Sequence, residues 1–529
     1  MHLPRLWSLA FAGFFLVITG WSLASPYNGN ADEIAHIYRA YGVVSGDVFL
    51  KPEAASLGTG AFHKVPASLV KAADICWQMR PEVSAACAKA PDGRDLTPVE
   101  VGNPAGRYNP VYYAAVGLPL KIWPDMRGVM GVRLLTGLVA AALLAFAVVC
   151  IVRSRRPLLL GALLLGTSPI AINMAGAVNP NGVEIAAGIL LFAAGLSVLA
   201  GPRDDRPPTW MLTLVVISAA ILVSVRSGGP AWLALALGAL LLPLRWANLR
   251  RLVVDRSLRI ATLVVTVVSV LSVLWIVVMK ASKLAGGTPA GFGPGQIMVH
   301  VVGRWPQLMD QMVGELGWLD VHLSGSAYVL WQLPAGALLL LAALVGSGVD
   351  RWRLLIVVGG AVGVASVLDA VNADATGGFV GQGRYLLPVL SGALLLAAWI
   401  ITRGGTLTTG QTALAVRAII VITVPIQLYA LLVAEARYTR GIPPMASPAS
   451  YNPLGGDWQP ATGPIVPLIV TGVGLLVVAV LCWRLAAIEP APPVHPEEEH
   501  NADRVRPTSG AGGSTGDTGA VPAVAPVAA

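Results

Sequence analysis

The chain has 529 residues, 55% of them hydrophobic and only 12% charged, with a formal net charge of +8. Soluble domains carry about 25% charged residues, so this composition excludes an ordinary soluble enzyme and implies a chain that crosses lipid as helices, where backbone groups have no water to bond. The positive balance does not point to nucleic acid, because the arginines lie mostly between apolar runs; the Ala, Val, Leu, Gly and Arg richness suggests a high-GC bacterium.

Twelve apolar runs have the length that a hydrocarbon core of about 30 Å demands. They are residues 5–24, 128–152, 158–177, 182–200, 209–227, 229–244, 258–280, 327–346, 353–371, 385–402, 413–434 and 464–486. The first, Leu6 to Leu23, is followed by the small residues Ala24 and Ser25, as in a signal peptide, but so many later runs favour an uncleaved helix. The expected fold class is therefore all-α, a polytopic bundle of about twelve spans.

Short loops on one side hold Arg153, Arg155, Arg156, Arg203, Arg206, Arg245, Arg250, Arg251, Arg256, Arg259, Arg351, Arg353 and Arg403; those on the other hold only Arg226 and Arg384. The arginine-rich side is expected to be cytoplasmic, which puts both termini inside a bacterial inner membrane. Three longer segments then face outward, at about 25–126, 281–326 and 435–463. The first is too long for a bare connection and is expected to fold against the membrane surface. Residues 1–488 thus form one membrane domain that includes segment 25–126, and 489–529, rich in Pro, Gly, Ala and acids, read as a disordered cytoplasmic tail. No internal repeat of the kind found in inverted-repeat transporters is visible.

Cys150 and Cys482 fall in apolar runs and read as packing residues. Cys76 and Cys87 lie in the polar outer segment, where a disulfide is the natural reading.

Ionisable residues inside spans are costly and are functional candidates by default. Arg133, Glu184, Arg226, Asp369 and Arg384 all sit at the outer ends of their runs. A site at the outer interface has this distribution; snorkelling explains Arg133 alone but not the acids and Arg384 together.

Just after the first run comes Asn30-Ala31-Asp32-Glu33-Ile34-Ala35-His36-Ile37-Tyr38-Arg39. Its pattern is helical from Ala31, and Asp32 and His36 share a face. Two carboxylates and an imidazole there suit a general base, or a divalent cation held by Asp32, Glu33 and His36. The plain alternative is that Asn30 caps the helix and Glu33 completes a capping box. Further on, Arg107 and Asn109 in Arg107-Tyr108-Asn109-Pro110-Val111-Tyr112-Tyr113 suit phosphate or sugar hydroxyls, with Tyr112 beside them, although tyrosines are expected at an interface anyway. In Gly377-Gly378-Phe379-Val380-Gly381-Gln382-Gly383-Arg384-Tyr385, glycines admit close backbone approach and arginine offers a fork of donors to phosphate. His63, His300 and His322 face outward too, but no metal-ligand spacing joins them.

The run from Asn30 to Ala40, with Asn179-Pro180-Asn181-Gly182, Gly314-Glu315-Leu316-Gly317-Trp318-Leu319-Asp320 and Gly381-Gln382-Gly383-Arg384-Tyr385-Leu386-Leu387-Pro388, resembles a family of bacterial multi-span proteins known as domain of unknown function 2142. The resemblance spans about residues 5 to 435, with Asn181 standing where an acid is expected. That family looks like a branch of the GT-C membrane glycosyltransferases, which take a sugar from a polyprenyl-phosphate carrier at the outer leaflet. The resemblance implies Asp32 as the base that deprotonates the acceptor, with Glu33 as the alternative, and Arg384 and Arg226 on the carrier phosphate. It also implies a lipid-linked sugar and a glycan or lipid acceptor as partners. A flippase of lipid-linked glycans, using the same basic cavity without chemistry, is the competing expectation.

Overall fold

The computed structural model describes residues 2–51, 60–72, 76–200, 208–244, 246–281, 291–376 and 381–491. Each of the twelve apolar runs is helical within them. Among the described residues eight helices are long and apolar enough to cross a membrane: Leu3–Ala24 (α1), Met126–Arg153, Pro180–Val198, Arg256–Val278, Gly325–Val345, Gly348–Ala370 as the apolar part of Gly348–Thr376, Thr409–Arg440 and Ile465–Leu485. A ninth candidate is a broken pair, Leu158–Gly166 and Pro169–Ala175, bent by 66°. Three shorter apolar helices, Thr209–Val225, Gly229–Leu241 and Leu387–Arg403, take up the remaining runs. The chain is thus a mostly helical polytopic membrane protein with eight or nine candidate spans.

The break in the bent pair falls where Pro169 cannot donate to the preceding turn. The freed carbonyls find partners: Trp331 Nε1 donates to the Leu165 carbonyl at 3.2 Å, and Gln427 Nε2 donates to the Thr167 carbonyl at 2.6 Å. Satisfying such groups internally is what lets a helix break at membrane depth.

Close helix contacts depend on small residues, as expected where no hydrophobic drive distinguishes helix from lipid. A Cβ on Gly188 would lie 1.9 Å from the Pro388 carbonyl oxygen, and one on Gly392 would lie 2.0 Å from the Phe192 ring. These two glycines let Pro180–Val198 lie against Leu387–Arg403, which brings Glu184 and Arg384 to the same end of the bundle.

The segment after α1 is folded, as expected from its length, but it corrects the all-α expectation. It contains helix Glu33–Ser45 (α2) and an antiparallel pair, Ala61–Pro66 (β1) with Pro98–Asn103 (β2), in the register Ala61↔Asn103 to Pro66↔Pro98. The stretch His63-Lys64-Val65 faces Val99-Glu100-Val101 and buries alternate side chains, a period of two that is invisible beside the surrounding helical signal.

Cys76 and Cys87 are joined by a disulfide, Cα to Cα 6.1 Å. The loop it closes sits on the end of Thr409–Arg440. Arg437 Nη2 donates to the Trp77 carbonyl at 2.6 Å and Nη1 to the Val83 carbonyl at 2.5 Å, with Nη2 also on Asp320 Oδ2 at 3.0 Å. One buried arginine thereby fastens the segment that follows α1 to the loop holding Asp320. Cys150 and Cys482 are buried and unpaired, as read from the sequence. Arg203, Arg206, Arg245, the stretch Gly377 to Val380 and tail residues 492–529 lie outside the described residues.

Candidate functional site

The site is built on the turn between α1 and α2. Asn28 (φ 55°) and Asp32 (φ 65°) both adopt the left-handed conformation, which Asn and Asp tolerate better than other side-chain-bearing residues. Asn28 Oδ1 accepts the amide of Ile34 at 3.1 Å, and Asp32 is the residue before the first helical turn. The expected Asn30 capping box is therefore not formed. Asn30 Oδ1 instead accepts from Asn173 Nδ2 at 2.9 Å, and Glu33 does not turn back on the helix start.

Glu33 is fully buried in a bidentate pair with Arg133: Nε to Oε1 and Nη2 to Oε2, both 2.8 Å. Oε1 also accepts the Val178 amide at 2.9 Å. Arg133 completes its set on the last carbonyls of the α1 end, donating to Ser25 at 2.8 Å and Pro26 at 2.7 Å. The geometry is that of a charge-assisted fork, so the snorkelling reading of Arg133 is corrected. Glu33 is enclosed in this pair, and the trio Asp32, Glu33 and His36 does not converge on one point. Among the described residues no three His, Cys, Asp or Glu side chains form a cation cluster.

Asp32 points the other way. Its Oδ2 accepts from Arg384 Nη2 at 2.5 Å and from the Tyr385 hydroxyl at 3.2 Å. The Asp32 side chain is 41% exposed while that of Arg384 is 1% exposed; Oδ1 has no partner among the described residues. Burial raises the Asp32 carboxyl, but Arg384, followed by His36 and Arg226, outweighs it, and the acid is held below its ordinary value. Arg384 is itself oriented by Gln382 Oε1 at 2.6 Å and by Met174 Sδ at 3.0 Å.

A second cation stands behind this pair. Arg226 lies over the Tyr385 ring, 4.3 Å from its centroid, and 3.8 Å from Glu184 Oε2. Asn181 Nδ2 donates to Glu184 Oε2 at 3.1 Å and lies 3.4 Å from the Arg384 carbonyl oxygen. Asn181 thus takes the structural place between Glu184 and Arg384.

The other expected residues divide. His36 is buried beside Asp32, with Nδ1 2.8 Å from the Tyr113 hydroxyl. Burial, together with Arg226 and Arg384 and against Asp32, pushes its pKa down to about 3, so it is a neutral ring at the site. Arg39 is fully buried and turned to backbone: its guanidinium donates to the carbonyls of Tyr108 (2.8 Å), Asp47 (3.0 Å) and Val48 (3.1 Å). Arg107 is buried, with Nη1 3.3 Å from the Met279 carbonyl. Asn109 caps helix Pro110–Val116, its Oδ1 accepting the Val111 amide at 3.0 Å. Tyr112 meets Thr136 Oγ1 at 2.8 Å inside the bundle. Arg39, Asn109 and Tyr112 are thus spent on structure rather than gathered with Asp32. Tyr385, which completes the cluster, was not singled out from the sequence although it directly follows Arg384; Glu184, a functional candidate as an acid inside a span, joins the cluster through Arg226 and Asn181.

All four quoted motifs meet at this turn. The Ala31 amide donates to the Gly317 carbonyl at 2.9 Å, and Trp318 Nε1 to the Asn28 carbonyl at 3.0 Å. Asn179 Nδ2 reaches the Ala31 carbonyl at 3.3 Å. Gly383 donates to Gln311 Oε1 at 2.8 Å, and a Cβ on it would lie 2.2 Å from the Leu308 carbonyl oxygen.

Among solved structures the chain is similar to ArnT from Cupriavidus metallidurans bound to undecaprenyl phosphate, at 13% identity and a TM-score of 0.40, covering 91% of this chain and 78% of that one. The same protein in the apo state gives 13% identity and a TM-score of 0.40, covering 92% and 78%. A likeness this distant carries nothing further about this chain. No curated protein matches. The sequence profile of one family does match, over residues 14–393: the chain belongs to the family described as predicted membrane protein (DUF2142).

Proposed function

We propose that this protein is a membrane glycosyltransferase of GT-C type that moves a sugar from a polyprenyl-phosphate carrier to an acceptor hydroxyl at the outer face of a bacterial inner membrane. The observation that carries the reading is the contact between Asp32, just after α1, and Arg384, some 350 residues later, in a cluster that also holds Tyr385 and Arg226. An acid with a free oxygen beside two cations is the pairing that sugar transfer from a phosphate needs.

In the proposed step Asp32 Oδ1 accepts the proton of the acceptor hydroxyl as its oxygen attacks the anomeric carbon. The bond from that carbon to the phosphate oxygen breaks, and the polyprenyl phosphate departs with its added negative charge against Arg384 and Arg226. Electrostatic stabilisation of a leaving group by preset cations is often the largest catalytic contribution. Attack opposite the leaving phosphate inverts the anomeric centre. A lipid-linked donor suits a chain whose sequence shows no glycine-rich nucleotide loop. An outward orientation is supported by the loop arginines and by the Cys76–Cys87 disulfide, a bond of oxidising compartments.

Transport of a lipid-linked glycan would call for polar groups along a path through the bundle. Among the described residues the ion pairs gather at its two ends, and a partly open, mostly apolar pocket between them, lined by Phe14, Val17, Leu164, Thr167, Leu475 and Gln427 among others, has about 20 Å³ of room, roughly one water. The test is transfer in membranes supplied with radiolabelled polyprenyl-phosphate sugars. Asp32→Asn is expected to abolish transfer with folding intact, and full activity in that variant removes Asp32 from the reaction. Envelope glycans of a deletion strain would then identify the sugar and acceptor.

A further inference from the structure

The opposite end of the bundle carries a second charged cluster that the transfer reading does not use. Leu387–Arg403 has 17 residues, so Arg384 and Arg403 mark ends about 25 Å apart. At the far end one buried acid, Asp350, serves two arginines: Oδ1 accepts from Arg353 Nη1 at 3.1 Å and Oδ2 from Arg403 Nη2 at 2.7 Å. Ser347 completes Asp350 through its hydroxyl at 2.7 Å and amide at 3.0 Å. Both guanidinium groups lie over the Trp399 ring, 5.2 and 4.7 Å from its centroid. The acid is thus already fully engaged.

A third arginine joins them. Helix Leu158–Gly166 runs alongside Leu387–Arg403, with Ser391 Oγ on the Gly166 carbonyl at 3.1 Å, and its start brings Arg156 to the Arg403 end. Arg156 is 6% exposed, and its buried Nη1 has no hydrogen-bond partner among the described residues. Burial and the charge of Arg403 both lower its pKa, to about 10, which leaves it a cation. Among the described residues these three arginines against one acid leave two positive charges, one of them on a buried group with no anion on it. Leaving a buried charge uncompensated is costly, and a bound anion relieves that cost. Beside Arg156 a shallow surface, without interior room for a water, is formed by Ile151, Val152, Pro157, Leu160, Leu485 and Ile488 with Arg155, which pairs with Glu489 at 3.4 Å; its apolar side chains offer a face for the flank of a hydrocarbon chain rather than a pocket for a free ion.

We propose that this end of the bundle binds an anionic phospholipid, its phosphate on Arg156 beside Arg403 and its chain lying along the apolar face of Ile151, Leu485 and Ile488. Anionic headgroups between helices are recognised by such basic pockets. The site does not depend on the transfer reading.

The test is native mass spectrometry of the full-length protein in detergent, titrated with phosphatidylglycerol or phosphatidylcholine. Wild type is expected to retain one phosphatidylglycerol at about a tenfold lower concentration than phosphatidylcholine. Arg156→Gln, which removes no side-chain hydrogen bond, is expected to lose that preference, while Arg351→Gln, an exposed arginine at the same end, keeps it. Equal retention of both lipids by wild type, or an unchanged preference in Arg156→Gln, overturns the site. Thermal stabilisation by inorganic phosphate equal to that by phosphatidylglycerol overturns the lipid assignment.

Discussion

Arg384 cannot offer its outward Nη2 to a carrier phosphate while Asp32 Oδ2 holds that nitrogen, even though Asp32 Oδ1 stays free to act as base. The Arg384 side chain is 1% exposed, and its outward Nη2 is on Asp32 Oδ2 at 2.5 Å. A carrier phosphate must therefore displace or share this contact. At a separation of about 4 Å and an effective dielectric near 20, a pair attracts by about 4 kcal/mol. Because the Asp32 side chain is 41% exposed, solvent screening and desolvation leave roughly 1–2 kcal/mol of that as net attraction. Asp32→Asn removes it, together with carboxylate–phosphate repulsion, so undecaprenyl phosphate is expected to bind the variant about tenfold more tightly, since 1.4 kcal/mol is a factor of ten. Arg384→Ala is expected to weaken the same binding. Calorimetric titration of purified protein in detergent measures both. The sign of the first effect is what matters: a purely structural ion pair predicts unchanged or weaker binding on loss of the acid. Unchanged affinity in Asp32→Asn, with transfer still abolished, would refute the competition and leave Asp32 as base; retained transfer would instead remove Asp32 from the chemistry.

Glu33→Gln leaves the Arg133 charge unpaired at full burial and is expected to cost about 3–5 kcal/mol, read as a fall in melting temperature; Asp32→Asn should shift melting far less. Acidification should loosen the outer segment before the bundle. Burial, first among the causes, pushes both His36 and His63 down to about 3. Each depressed histidine contributes stability present above the unfolded value of about 6.5 and lost as pH falls toward 3, at about 1.4 kcal/mol per pH unit. Hydrogen exchange of β1, β2 and α2 at pH 7 and pH 5, corrected for intrinsic rates, should show protection falling there and not in Pro180–Val198. Replacing Cys76 and Cys87 by Ser together should cost about 2–4 kcal/mol, and proteolysis should then cut first in the loop that Arg437 holds. Asn109→Ala should lower stability by about 1 kcal/mol, as loss of a helix cap does, with transfer unchanged.

The helical runs were legible because apolar length is a one-dimensional property, and all twelve appear as helices. The break at Pro169 was not: Thr167-Ser168-Pro169 is a local turn signal, but the apolar length on either side let 158–177 pass as one run, and the partners of the Leu165 and Thr167 carbonyls show where the backbone leaves the ladder. The strand pair was missed for a related reason: β1 and β2 have six residues each, too short for alternation to stand out. At the proposed site, residue type singled out Asp32 and Arg384, since acids and arginines at span ends are expensive, and the structure brings these two together. Residue type also selected Arg39, Asn109 and Tyr112, which the structure turns to backbone, cap and bundle contacts away from Asp32. A buried arginine that feeds backbone carbonyls and one that faces a ligand have the same letter, and only tertiary contacts tell them apart.

The adjacent acids Asp32 and Glu33 show how the fold makes that distinction. In one continuous helix, neighbours already point about 100° apart. Here Asp32 is held at φ 65° by a turn whose carbonyls and amides are taken by Trp318, Gly317 and Asn179. The left-handed residue turns the chain so that Glu33 enters the bundle to meet Arg133 while Asp32 stays at the rim to meet Arg384. The buried pair fixes the turn, and the turn fixes the direction of the exposed acid. Glu33 and Arg133 therefore act on Asp32 through its position and not through its charge. Their substitution should disorder the site even when Asp32 and Arg384 are both present, whereas Arg384→Ala should leave the turn intact and remove only the partner.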